Sequence, residues 1–199
     1  MDERWPIEPG EFIVYDPKKS VCVCTLEDDL DMPTDGLAGS GKLRTENLGV
    51  ERIVVNTISN PHIRFLVVCG REIKGHRAGQ SLIALWRNGL DDKKRIIGAK
   101  GAIPYIQNLP PEFVGRFQIQ VEVVDLIDEK DPGVFTSMLR DLIQRKPKPF
   151  EGPALDFGDY WGGVSKSDVE LIELGESEVS VAPEYDLVWD VEKGIVKIK

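Results

Sequence analysis

The 199-residue chain has only two histidines, three cysteines and no surplus of basic residues, and each scarcity removes a class of function. Three cysteines, an odd number without CxxC spacing, cannot make the disulfide framework of a small secreted domain. Cys22 and Cys24 stand two apart in "SVCVCTL", which puts them on one face of a predicted strand. They read as small apolar residues rather than metal ligands. No stretch approaches the roughly 20 apolar residues of a membrane helix, so no direct membrane span is expected. The opening "MDERWPIEPGEF" begins with acids and lacks an apolar signal core, so a cytoplasmic protein is expected. A formal net charge of −9 offers no basic face to a phosphate backbone and excludes nucleic acid as an expected partner.

What is present fits a soluble globular protein, with 41% hydrophobic and 30% charged residues. The acidity is uneven. From Glu151 onward there are 12 acids and 4 bases, whereas residues 1–150 hold 22 acids and 21 bases. This contrast divides the chain into an α/β domain, 1–148, and an acidic linker with a β-hairpin extension, 149–199.

Along the chain, "EFIVY" and Ser20–Leu26 read as strands joined by the turn "DPKK". The polar, glycine-rich segment "EDDLDMPTDGLAGSGKLRTENLG" reads as a long loop. Helical spacing at Val50, Ile53, Val54, Thr57 and Ile58 predicts a helix that stops at Asn60–Pro61. "IRFLVVCG" is a strand buried on both faces. The next helix begins near His76 or Arg77, with the apolar stripe Ala78, Leu82, Leu85 and Trp86. "RIIGAKGAIPYI" predicts a short strand breaking into a loop. "LPPEFVGRFQIQV" reads as a helix with prolines at its start, "VEVVDLID" as a strand, and "DPGVFTSMLRDLIQRKP" as a helix with Val134, Met138, Leu139 and Ile143 inward. Strand–helix alternation implies a Rossmann-like, mainly parallel sheet with helices on both faces. Beyond the linker "PKPFEGPALDFGDYWGG", the segments "VELIEL", "EVSVAP" and "DLVWDV-EKG-IVKIK" alternate with period 2, the last as a hairpin. Trp161, Tyr185 and Trp189 read as hairpin core or, alternatively, as cover for the edge of a cofactor.

Ligands of open α/β sheets sit beyond the carboxyl ends of the strands. Two loops there are rich in glycine: "CGREIKGHRAG", with Gly70, Gly75 and Gly79, and "GAKGAIP", with Gly98, Gly101 and Pro104. Neither is a GxGxxG fingerprint, and "GSGK" at Gly39–Lys42 lacks Walker A spacing. His76 sits in the first loop. It reads as a histidine bonded to a carbonyl, as a general base, or as a metal ligand. A base for nucleophilic catalysis wants a partner carboxylate and a nucleophile, and only Glu72 and Ser81 are near in sequence. With His62 expected at the opposite edge of the sheet, a multi-ligand zinc site has too few donors. One histidine among glycines suits a large metal cofactor that brings its own equatorial ligands.

The run from "SGKLRTENLGVERIVVNTISNPHIRFLVVCGREIKGHRAGQSLIALWRNGL" through "RIIGAKGAIPYIQNL" to "RFQIQVEVVDLI" resembles the A subunit of tetrahydromethanopterin S-methyltransferase, the corrinoid-carrying subunit of a sodium-pumping methanogen complex. The resemblance spans Trp5 to Asp128. It implies a cobamide (a cobalamin-type corrinoid) whose cobalt accepts a methyl group from methyl-tetrahydromethanopterin and donates it to coenzyme M. It also implies partner subunits specific for each of those two substrates. The family histidine in "KGH" is matched by His76, the expected cobalt ligand. Cofactor contacts are expected from Gly70, Lys74, Gly75 and Gly79, and from Gly98, Ala99, Gly101, Ala102, Ile103 and Pro104. Imidazole binds metal in its neutral form, so binding should weaken on protonation.

Two departures qualify the match. Other corrinoid methyltransferases carry Asp-x-His-x-x-Gly, with the aspartate orienting the imidazole. Here Lys74 replaces that aspartate, so it either meets a propionamide or phosphate of the cofactor or is solvated, and any tuning of His76 must come from elsewhere. Glu46 and Asn47 in "RTEN" read either as facing the cofactor or as a solvated loop. The second departure is at the C-terminus. The family's membrane-complex member ends in a transmembrane helix, whereas an acidic β-rich tail stands here, so a soluble relative is expected. A methyl carrier whose catalysis needs partner subunits and a non-catalytic binding or regulatory module with the same fold both remain open.

Overall fold

The computed structural model describes residues 5–8, 10–129, 131–153, 155 and 157, together with the backbone of three strands nearer the C-terminus. Five short segments build the main sheet: Phe12–Val14 (β1), Val21–Thr25 (β2), Leu37–Lys42 (β3), Phe65–Gly70 (β4) and Glu122–Ile127 (β5). Their order is β1-β3-β2-β4-β5. β3, β2, β4 and β5 run parallel, and β1 pairs antiparallel with β3 at the edge. β2 and β4 are buried at every position, which is why neither sequence alternates polar with apolar residues.

Four helices cover the sheet: Leu48–Ile58 (α1), Ala78–Asn88 (α2), Pro111–Gln120 (α3) and Pro132–Arg145 (α4). α4 sets Phe135, Leu139 and Leu142 against Val21, Val23, Phe65, Val67 and Cys69. The alternate residues Cys22, Cys24, Leu66 and Val68 point to the opposite face and are equally buried, under α1, α2 and α3, which pack on one another. Burial pushes the Cys22 and Cys69 thiols up to about 12, and Cys24 up as well. They stay protonated and act as core residues, as expected.

Three expectations need correction. Gly39–Lys42 is the second half of a strand. Its glycines disguise it, and their bareness has a packing cause: a Cβ at Gly39 would lie 2.6 Å from Phe12 Cζ, and one at Gly41 2.8 Å from Phe12 Cδ2. The Phe12 ring lies across both. Trp5 meets it edge-on at 5.3 Å and donates its indole N–H to the Asn56 carbonyl of α1 at 2.6 Å. Second, "RIIGAKGAIPYI" is no strand of the sheet. It makes only the bridges Leu90–Ile96 and Arg95–Tyr105 and runs back along α2, tied by Gln80 to Gly98 O and by Asn88 to Ile97 O. Third, Val134 is 41% exposed while Phe135 and Leu142 point inward. The Asp131 cap, which accepts from Gly133 N at 2.8 Å, sets that helical phase.

The chain separates into two units, Met1–Asp156 and Phe157–Lys199. In the first, the segment after α4 returns to the sheet: Phe150 lies under Arg64 and Arg116, at 5.6 and 4.2 Å from its ring centre. The second contains Glu178–Ala182 (β6), Leu187–Asp190 (β7) and Ile195–Ile198 (β8), an antiparallel sheet in that order. The expected hairpin is β7–β8. Its turn, "VELIEL", Trp161, Tyr185 and the Trp189 side chain lie outside the described residues. Among those described, no helix is long and apolar enough to cross a membrane.

Candidate functional site

Because β3, β2, β4 and β5 run parallel, their carboxyl ends at Lys42, Thr25, Gly70 and Ile127 share one edge. That edge is where this fold class places ligands. The connection from β4 to α2, residues 71–77, is shaped by Glu72. Its carboxylate accepts from Ile73 N, Gly79 N and Gln80 N at 3.1, 3.2 and 2.8 Å. The side chain therefore caps α2, where the N-cap residue Arg77 makes no side-chain cap bond. Gly75 (φ 84°) and Arg77 (φ 47°) are both left-handed and lift the residue between them clear of the surface. That residue is His76, whose side chain is 54% exposed.

His76 Nδ1 lies 2.8 Å from Glu46 Oε2. Glu46 is 2% exposed, on the segment joining β3 to α1, and its Oε1 accepts from Ile103 N at 2.8 Å. Burial pushes the Glu46 carboxyl up. The amides of Ile103 and of Glu46 itself, and then His76, outweigh burial and hold it below the ordinary carboxylate range. An ionised carboxylate can only accept, so an imidazole carrying one proton would hold it on Nδ1, facing Glu46, and present the Nε2 lone pair, which no described residue engages. Carboxylate–imidazole pairs of this kind orient metal-binding histidines. The orienting acid absent at Lys74 thus arrives from 30 residues upstream.

Gly101 closes the arrangement. A Cβ there would overlap the His76 carbonyl oxygen and stand 2.8 Å from Glu46 Cγ, so only glycine lets the three segments of chain meet. Beside it, Ile103 is 60% exposed. A large apolar side chain thus stands in water on the loop that meets the histidine. A second buried carboxylate, Glu51 of α1, holds the same loop further on, accepting from Asn108 N and Nδ2 at 3.0 and 2.8 Å.

Of the residues singled out from sequence, His76, Gly101, Ala102 and Ile103 come together, with Ala102 exposed and Gly75 adjacent in the chain. Lys74 is exposed. Pro104 and Ala99 are buried in the loop behind. Gly79 packs on Leu26 and Ile127 and seats α2 on the sheet, while Gly70 faces Leu26 and Asp28. Gly98 lies along α2, its carbonyl accepting from Gln80 and its Cα facing Asn88. Asn47 caps α1 through Leu48 N. His62 lies at the other end of β4, as expected, with its N–H on Asn60 Oδ1. Ser81 is fully buried and Glu72 is spent on amides, so a base at His76 has no nucleophile among them. No group of three or more metal-binding side chains occurs among the described residues.

Sequence reading singles out Glu46 without its partner and passes over Glu51. Their signal is two glutamates flanking the first turn of an otherwise apolar helix, "ENLGVERIVV", since buried carboxylates need donors.

Known proteins share this chain's sequence over most of its length. The family model for the A subunit of tetrahydromethanopterin S-methyltransferase matches residues 1–158. One A subunit of that enzyme from Methanothermobacter thermautotrophicus, the form numbered 1, is 44% identical over 189 residues, covering 94% of this chain and 76% of the relative. The A subunit from Methanohalophilus mahii is 40% identical over 199 residues, covering 98% and 81%. The form numbered 2 from M. thermautotrophicus is 44% identical over 169 residues, covering 80% and 92%.

Proposed function

The chain belongs to the A-subunit family of tetrahydromethanopterin S-methyltransferase, and from that membership we propose that it works as a methyltransferase subunit holding a corrinoid through His76. The observation that carries the reading is the His76–Glu46 pair at the carboxyl edge of the parallel strands, with Nε2 hydrogen-bonded to no described residue. The residues present fit such a group. The site offers one nitrogen ligand, which suffices for a metal with four equatorial nitrogens of its own. The exposed Ile103 gives apolar surface for a ring, and Gly101 keeps the loop close. A bound corrinoid would supply the cobalt that carries the methyl group.

The chain's own contribution is orientation. Glu46 fixes the tautomer and the ring direction of His76, and the amide of Ile103 fixes Glu46. Loop 98–104 therefore cannot shift without moving the ligand. The methyl donor and acceptor, methyl-tetrahydromethanopterin and coenzyme M, are expected to be handled by partner subunits, since among the described residues neither Ser81, fully buried, nor Glu72, engaged by amides, serves His76 as a nucleophile.

Reconstitution with hydroxocobalamin tests the reading. The visible spectrum should shift on binding to the wild-type protein and return toward that of the free cofactor in His76→Ala. A bound corrinoid whose spectrum ignores that substitution would remove His76 from the ligand role, and no uptake at all would favour a binding or regulatory module.

A further inference from the structure

Cations along the carboxyl edge fall into two groups. Lys42 ends on Asp29 at 2.6 Å, Arg44 on Glu11 at 2.8 Å and Arg71 on Asp28 at 2.7 Å. Lys74, Arg77 and Lys100 are exposed, and their side chains have no hydrogen bond or ion pair with any described residue. Acids are not in short supply, with 34 against 25 bases. These three lie on the two segments of chain that meet at His76. Lys74 is two residues before it and Arg77 directly follows it, and Lys100 adjoins Gly101, which lies against the His76 carbonyl. Arg77 also keeps a left-handed backbone that costs a non-glycine residue roughly 1 kcal/mol.

We propose that Lys74, Arg77 and Lys100 anchor a phosphodiester on the ligand that His76 binds: the phosphate in the nucleotide tail of a cobamide. The inference rests on the corrinoid reading above. In a free cobamide the base of that tail caps one face of the cobalt. When a protein imidazole takes that face, the tail is displaced yet still leaves from the same side. Its phosphate is then on the side of His76, where unpaired ammonium and guanidinium groups supply charge-assisted hydrogen bonds. The carboxylates near this point are engaged elsewhere. Glu46 and Glu72 are turned inward onto His76 and backbone amides. Asp125 and Asp128, which line a depression together with Glu72, Arg77 and Arg87, accept from the amides of Ile127 and Glu72. None pairs directly with the three cations.

The test compares cobalamin with cobinamide, which lacks the nucleotide tail and its phosphate. Both are titrated by absorbance into the wild-type protein, into Lys74→Ala/Arg77→Ala/Lys100→Ala, and into Lys74→Arg/Lys100→Arg. Wild type should prefer cobalamin, and added salt or inorganic phosphate should erode that preference. The triple alanine variant should bind cobalamin about tenfold more weakly, the scale of one or two exposed charged contacts, with cobinamide unchanged. The arginine variant should retain the preference. Equal losses for both corrinoids, or none for either, would overturn the anchor while leaving His76 as ligand. If wild type bound neither, the corrinoid reading itself would fall.

Discussion

The two ends of the parallel sheet spend their polar groups differently. At the amino end, buried Gln120 donates Nε2 to the carbonyls of Thr57 and Asn60 at 3.0 Å and of Ile63 at 3.3 Å, and accepts from Arg116 at 2.8 Å. Arg64 donates to Gln120 O and Lys148 O, and His62 is tied by its backbone to Asn60. Donors there point inward and close the structure. At the carboxyl end an imidazole nitrogen, three cations and the apolar Ile103 side chain are left to solvent. One histidine at each end of the same strand thus shows that exposure of polar groups, more than residue type, separates the closed end of the sheet from the open one.

Gln120→Ala would break the contrast most severely. It orphans buried carbonyls and leaves a cavity, so about 2–4 kcal/mol of stability should be lost in urea denaturation, with corrinoid uptake per folded molecule unchanged. Gly101→Ala acts at the other end. Its Cβ meets backbone, so the loop must move. About 1–3 kcal/mol of stability and most of the cofactor affinity should go together in paired denaturation and absorbance titrations. Glu46→Gln keeps shape but removes the charge that orients His76. Metal-ligand affinity should fall about 10–100-fold, with a small drop in the urea midpoint at neutral pH that vanishes toward acid.

The smallest effect is on pH dependence. The Glu46 carboxyl is held low, so its contribution to stability is present above the ordinary glutamate range and is lost as pH falls through its folded value. Glu8 is the reverse. Burial raises it, Arg52 lowers it and Glu51 raises it, with a net upward shift. Its favourable contribution is present at low pH and is lost as pH rises through its folded value. Thermal melts across acid pH should therefore be flatter for Glu46→Gln than for wild type, and Glu8→Gln should gain stability toward neutrality.

Much of this is legible in the sequence where one local signal dominates. Buried runs such as "FLVVCG" and the stripe of α2 mark strands and helices because burial on two faces, or on one, leaves a period. β3 is hidden because its pattern answers to Phe12, some 30 residues away, rather than to its own neighbours. Loop 95–105 looks like a strand because its apolar residues cover α2 and the ends of other elements. His76 stands out as a rare residue between glycines. Its partner does not, since nothing in "RTEN" records that the chain brings Glu46 back to residue 76. Pairings across the sheet edge are tertiary facts, and single-sequence periodicity carries none of them.

The central claim is that the His76 imidazole, oriented by Glu46, meets the metal of a corrinoid. Electron paramagnetic resonance of the protein loaded with cob(II)alamin tests it directly. Protein grown with 15N-histidine should change each nitrogen hyperfine triplet into a doublet, because a spin-one nucleus on cobalt has been replaced by a spin-half one. Triplets that persist would mean that the cofactor's own base, and not His76, is on the cobalt.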